Sequence, residues 1–255
     1  MERQFLNLIF SILIFTYSSL VISSDVIIIS DMDDTIKQTN VDSTIRGGIN
    51  AFFTRKVFPG MPTLLRDLES ETQGLYILSN SPVIFRPNMK ALLRKFGIEA
   101  VELSTRRLRG DSDKFKYKYN FIKKKLQETA ARLILIGDDV GEDPEVYEQV
   151  SKDFPGRVLS IYVHNVNNRD IPTGQRRYIS FLDIAIMEYE QNRLNLSQLL
   201  KLENKFTSLE RFNSLFPKFK HCPTSPWRSS SSESPEVKDI VKNMINRVIK
   251  FCKNR

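Results

Sequence analysis

Five short aliphatic runs with few polar interruptions constrain this chain more than any other feature. They are Val26–Ser30, Leu75–Ser79, Ala100–Leu103, Leu133–Ile136 and Val158–Val163. A strand with one wet face alternates apolar and polar residues, whereas a continuous run belongs to a strand covered on both faces. Helical patterns separate the runs, at Met61–Glu71, Pro82–Phe96, Phe115–Thr129 and Pro144–Phe154. Strands alternating with helices of this length predict an α/β fold: a Rossmann-like parallel sheet with helices on both faces. In such sheets ligands gather beyond the carboxyl ends of the strands, so the residues that follow each run are the informative ones.

Those residues are acidic or hydroxylic. Asp31-Met32-Asp33-Asp34-Thr35 follows the first run, Ser79-Asn80-Ser81-Pro82 the second, and Gly137-Asp138-Asp139 the fourth, with Asp143 shortly after. Two strand ends thus bring several carboxylates toward one crevice, where their mutual repulsion calls for a cation. No Cys or His stands near them, and an all-oxygen ligand set selects a hard ion, Mg²⁺ before Ca²⁺. The chain holds only two His and two Cys, which excludes a His-rich metal centre and a four-cysteine zinc site.

The order of these motifs resembles the haloacid dehalogenase superfamily of phosphohydrolases. More narrowly, five segments resemble the catalytic domain of the actin-patch phosphatidate phosphatases: residues 30–37, 57–62, 78–82, 136–147 and 154–158. Asp139-Val140 and His164-Asn165 depart from that family's usual residues. The resemblance implies an Mg²⁺-dependent phosphomonoester hydrolase working through an aspartyl-phosphate. It casts Asp31 as nucleophile, Asp33 as general acid and base, and Asp31, Asp138 and the Asp33 carbonyl as metal ligands. Ser79, Asn80 and Lys118 are implied on the substrate phosphate, with Lys118 chosen by its place 20 residues before Asp138. Asp143 is expected to support the metal site and to cap the helix that Pro144 opens. Asp34 and Asp139 carry weaker expectations, and His164 reads as a surface residue.

Phosphatidate is the substrate that the resemblance implies. A soluble phosphomonoester is the alternative, and a lipid- or phosphate-binding module without turnover is a third reading. The segment Gln38–Phe58 is where the superfamily inserts a flap, with Gly47-Gly48 as its hinge and Phe52, Phe53 and Phe58 as apolar surface; an ordinary loop covering the core is the alternative, and no larger cap is visible, so a bulky substrate has access.

The ends of the chain carry separate expectations. Residues 1–24 have a short polar start, an apolar run over Phe5–Ile22 and small residues at Ser23-Ser24. This pattern predicts a cleaved signal peptide and export, periplasmic or secreted. The alternative is an uncleaved anchor, against which Asn7, Ser11, Thr16, Ser18 and Ser19 interrupt the apolar run. Residues 25–190 form the expected catalytic domain and 191–255 a helical extension with a Ser-rich linker at 223–234. The formal net charge of +8 lies wholly in the extension, which holds 13 Lys and Arg against 5 Asp and Glu. No binding motif or aromatic-basic interleaving points to nucleic acid. Instead Val237, Ile240, Val241, Met244, Ile245, Val248, Ile249 and Cys252 make an amphipathic stripe. Such a helix either docks on the body or lies, basic face outward, on an anionic membrane. In an exported chain Cys222 and Cys252 would pair and favour docking.

Overall fold

A computed structural model describes residues 25–40, 54–228 and 234–255. The expected leader, much of the expected flap (with Gly47, Gly48, Phe52 and Phe53) and part of the Ser-rich linker lie outside the described residues.

Six strands form one parallel sheet in the order β3-β2-β1-β4-β5-β6. They are β1 (Val26–Asp31), β2 (Leu75–Pro82), β3 (Glu102–Arg106), β4 (Arg132–Asp138), β5 (Val158–His164) and β6 (Arg176–Tyr178). The order reverses beside β1, between β2 and β4, so the crevice expected for a ligand opens at the carboxyl end of β1. All six residues of β1 are buried, as its unbroken aliphatic run requires.

Successive residues on a strand point to opposite faces, and the two cores divide accordingly. Ile27, Ile29, Leu133 and Leu135 pack with Ile122 and Leu126 of α3 (Lys114–Glu128) and Val146, Tyr147 and Val150 of α4 (Asp143–Asp153). Val26, Ile28, Ile134 and Ile136 face the other way. They pack with α1 (Met61–Glu69), α2 (Arg86–Lys95), α5 (Phe181–Glu190), α6 (Leu196–Thr207) and α7 (Pro235–Lys253). Gly60 starts α1 with φ of 80°, and a Cβ there would overlap the Phe181 ring. Only glycine meets both conditions.

The C-terminal helix is docked. Val237, Ile240, Val241, Met244, Ile245 and Val248 are buried in the same core as β1, while Lys238, Lys242 and Lys250 face outward. Of the two readings of this stripe, docking on the body is the one observed. A Cys222–Cys252 disulfide, with Cα atoms 5.6 Å apart, ties the helix to the segment before the linker. Trp227 Nε1 donates to Asp183 Oδ1 at 2.8 Å, and Arg228 donates to the Asp183 carbonyl at 2.9 Å. No helix among the described residues is long and apolar enough to cross a membrane.

Candidate active site

The carboxyl edge of β1, β2, β3 and β4 opens into a cavity of about 400 Å³. Asp31 ends β1 and Asp138 ends β4, on neighbouring parallel strands. Asp143, the first residue of α4, completes a buried cluster: ligand atoms of the three carboxylates all lie within 4.8 Å of one another. Lys118 enters from α3. It occupies one helical line with Ile122 and Leu126, so the same packing that buries those side chains carries its ammonium inside. Its Nζ donates to Asp31 Oδ1 at 2.6 Å and, closer still, to Asp143 Oδ1.

The electrostatics leave this cluster short of positive charge. Three carboxylates against one ammonium make a net of −2 when all are ionised. Burial pushes the Asp31 carboxyl well above the ordinary carboxylate range; Lys118 opposes that shift, and Asp143 and Asp33 add to it. Burial likewise raises Asp138, reinforced by Asp143 and Asp31. Burial works against the charge on Lys118, but Asp143, Asp31 and Asp138 together drive its pKa above the usual lysine value. An oxygen-only cluster with excess negative charge fits a hard divalent cation. Asp31, Asp138 and Asp143 are the side chains that could hold such an ion.

Gly137 shows why glycine precedes Asp138. A Cβ there would land on the Asp143 carboxylate and 2.8 Å from the Tyr147 hydroxyl. The Asp138 N–H, 3.4 Å from Asp143 Oδ2, needs that close approach. Asp138 is fixed further by Thr35 Oγ1, 3.2 Å from Oδ2, and by the Val140 N–H, 2.7 Å from Oδ1.

Asp33 stands beside the cluster, not within it. Its Oδ2 accepts from Ser79 Oγ at 2.8 Å and from Ser81 Oγ at 2.7 Å. Its Oδ1 is buried with no hydrogen-bond partner among the described residues, and Lys37 Nζ lies 3.9 Å away. Ser79, expected on the substrate phosphate, thus has its O–H on Asp33 in this structure. β2 continues through Ser79 to Pro82. Ser81 was not anticipated, although i and i+2 on a strand share a face and Ser79 already marked that face.

Asn80 lines the cavity, with Nδ2 on Glu142 Oε2 at 3.2 Å and Oδ1 buried without a hydrogen-bond partner among the described residues. Asp143 does not cap α4. Glu142 holds the N-cap position, and Lys118 draws the Asp143 carboxylate into the cluster instead. Asp34 and Asp139 are loop organisers. Asp34 Oδ1 accepts from the Thr39 and Asn40 N–H groups at 2.8 and 2.9 Å. Asp139 accepts from the Val166 and Asn167 N–H groups, both at 2.8 Å. His164 is buried, not superficial. Its Nδ1 lies 2.7 Å from the Asp34 carbonyl, its ring stacks on Tyr178, and burial lowers its pKa well below the ordinary value.

Two cations on the cavity wall were not singled out from the sequence. Arg106 ends β3, with Nε on the Asn80 carbonyl at 3.1 Å and Nη1 on the Asp111 carbonyl at 2.8 Å. Lys114 lies one turn before Lys118. A strand boundary drawn three residues too early hid Arg106.

Residues 26–165, more than half of the chain, match the family described as phosphatidate phosphatase APP1, catalytic domain. No curated protein matches the sequence. Among solved structures, one chain of a Pnkp1/Rnl/Hen1 complex is 16% identical with a TM-score of 0.43. That match covers 62% of this chain and 47% of the other, so this chain spans about half the length of that one. Phosphoserine phosphatase from T. onnurineus is 11% identical (TM-score 0.41, covering 65% of this chain and 96% of that one). The class C acid phosphatase from Bacillus anthracis is 13% identical (TM-score 0.37, covering 77% and 84%).

Proposed function

Since this chain belongs to the phosphatidate phosphatase APP1 catalytic-domain family and is a phosphatase, we propose that it hydrolyses phosphatidate to diacylglycerol and phosphate, with Asp31 as nucleophile. The observation that carries the mechanism is the pairing at the end of β1. Asp31 is engaged by Lys118, while Asp33, two residues on, is held by two hydroxyls through one oxygen; the other oxygen takes no hydrogen bond among the described residues and has the Lys37 ammonium 3.9 Å away.

Asp31 attacks phosphorus as the bond to the leaving oxygen breaks, giving an aspartyl-phosphate and splitting one hard hydrolysis into two steps. Asp33, as general acid, delivers a proton to the leaving alkoxide. It then takes a proton from the water that attacks the aspartyl-phosphate, releasing phosphate and restoring both residues. General acid–base work of this kind is worth roughly 10²–10⁴-fold. Ser79 and Ser81 orient Asp33, and Lys118 holds Asp31 in place and offers its charge to the transferring phosphate. Arg106 and Asn80, on the cavity wall, are placed to contact the phosphate or the adjoining ester. Mg²⁺ on Asp31 and Asp138, with Asp143 beside them, would neutralise the approach of one anion to another.

The family supports phosphatidate over a small soluble ester. Export is a further proposal, supported by the Cys222–Cys252 bridge, since such bridges persist in oxidising compartments. The test compares phosphate release from phosphatidate vesicles with release from a water-soluble phosphomonoester, each with Mg²⁺ and with chelator. Preference for the lipid in Mg²⁺ and no release in chelator is the expected result. Preference for the soluble ester would refute the substrate, and full activity in chelator would refute the metal site.

A further inference from the structure

Five large apolar side chains are conspicuously exposed among the described residues: Val83, Ile84, Val101, Leu108 and Leu196. Single exposed aliphatics are ordinary on a protein surface, whereas a cluster is not. Three of these five follow the carboxyl ends of two neighbouring strands. Pro82 of β2 pairs with Arg106 of β3, and both line the active-site cavity. Beyond Pro82 the chain runs directly into Val83-Ile84, and beyond Arg106 into Arg107-Leu108. Ile84 is 63% exposed and Leu108 62%.

The charge around this apolar tip is one-sided. Residues 106–116 hold Arg106, Arg107, Arg109, Lys114 and Lys116 against Asp111 and Asp113, five minus two, a net of +3. Both acids are already engaged: Asp111 Oδ2 accepts from the Arg107 N–H at 2.8 Å, and Asp113 caps α3 through the Lys116 N–H at 2.9 Å. Arg107 and Arg109 are exposed. Apolar tips within a cationic collar suit an anionic bilayer, where the aliphatics enter the acyl boundary and the bases meet headgroups. Each such base near the surface is worth roughly fivefold in binding.

We propose that the rim formed by Val83-Ile84 and Arg107-Leu108-Arg109 docks this chain on anionic membranes, presenting the mouth of the cavity to headgroups in the plane of the bilayer. The proposal deepens the phosphatidate reading and rests on it for its purpose. The docked C-terminal helix, whose apolar stripe lies in the core, does not compete for this role.

Position-specific probes test it in the full chain, independently of any other membrane-seeking segment. Ile84→Trp, Leu108→Trp and Val101→Trp are each compared with the parent, whose single Trp227 is half-buried against Asp183. Val101 is equally exposed at 62% but precedes β3, at the opposite end of the sheet. Phosphatidylcholine vesicles containing phosphatidylserine and acyl-brominated lipid should quench the probes at 84 and 108 at least twofold. The Val101 variant should stay within the parent's response, and raised salt should release the protein. No quenching at 84 and 108, or equal quenching at all three positions, overturns the proposal; a second copy of this chain or a protein partner covering the rim gives the first of these results. The paired Ile84→Asp and Leu108→Asp change should slow hydrolysis of vesicle phosphatidate at least tenfold while a short-chain soluble phosphatidate stays within twofold. Quenching at the rim without phosphatidate hydrolysis would leave docking established and remove the substrate assignment, so the two readings fail separately.

Discussion

Reducing the Cys222–Cys252 disulfide isolates what the covalent tie contributes, because the contacts around it do not depend on it. Phe251 packs its ring 5.5 Å from Phe212 and 5.7 Å from Phe216. Arg255 donates to the carbonyls of Pro217 at 2.7 Å and Lys220 at 3.2 Å. With the bond broken, these contacts keep the helix docked, and the loss falls on the unfolded chain, which regains the freedom of a loop 30 residues long. Loop-closure entropy for that length corresponds to about 3.6 kcal/mol at 25 °C. For a chain of this size that becomes a fall in melting temperature of roughly 7–14 °C. Thermal melts of the oxidised protein, the same protein in a phosphine reductant, and the Cys222→Ala/Cys252→Ala variant give the measurement. Agreement between the last two separates the lost tie from lost sulfur packing, since reduction removes no side-chain atom but hydrogen is gained. Phosphate release should stay within twofold, because neither cysteine lines the site. Alkylation of both cysteines without prior reduction would refute the bridge. An intact bridge whose reduction moves the melt by less than about 2 °C would refute the entropy argument.

Asp31→Asn should abolish turnover while the melting temperature holds or rises, since one of three buried carboxylates loses its charge; more than a few per cent of residual activity would sink the nucleophile assignment. Chelator should silence the enzyme and Mg²⁺ restore it, and Mg²⁺ at a hundred times its dissociation constant should add about 2.7 kcal/mol of stability; a melt indifferent to Mg²⁺ would argue against the carboxylate site. Gly137→Ala should lower kcat tenfold or more by driving Asp143 off Lys118, as small displacements of catalytic groups do, and wild-type kcat would show that the close approach is dispensable. Burial pushes Lys220 down to about 7, with Asp183 and Asp139 opposing and Arg255 adding. Between pH 7 and 10.5 the unfolded chain then holds a proton that the folded chain lacks, so stability should rise with pH across that window. Lys220→Met should flatten this rise in urea titrations, and an unchanged slope would exclude Lys220 as its source.

The parts of the site that sequence order announces are those fixed by strand ends. Asp31 and Asp138 follow continuous aliphatic runs, and a parallel sheet brings such ends to one edge whatever the loops do. Lys118 is legible by register and then by line, because Ile122 and Leu126 carry it into the core. What escapes is whatever lacks contrast or extent. α5 (Phe181–Glu190) is buried at eight of its ten positions, so no polar face marks its period. β6 is three residues long, below the reach of any alternation pattern.

Choice of partner is illegible for a different reason: it is decided by segments far apart in the chain. Ser79 turns to Asp33 across 46 residues, and His164 is buried because Phe58 and Tyr178 close on its ring from separate elements. The C-terminal extension shows the same principle on a larger scale. Its charge sets it apart in sequence, yet its carbonyl at Ser214 accepts from Gln38 Nε2 at 2.6 Å, just beyond the first acidic motif. From the same extension, the buried Lys220 ammonium lies 5.3 Å from the centre of the Phe58 ring, on the return path of the same loop. Phe58 in turn meets His164, whose Nδ1 lies on the Asp34 carbonyl. The loop that carries Asp33 and Asp34 is therefore braced from behind by residues 214–220, and Cys222 anchors that brace to the terminal helix. A tail that composition separates from the body is, in the folded chain, part of what holds the loop of Asp33 and Asp34 in position.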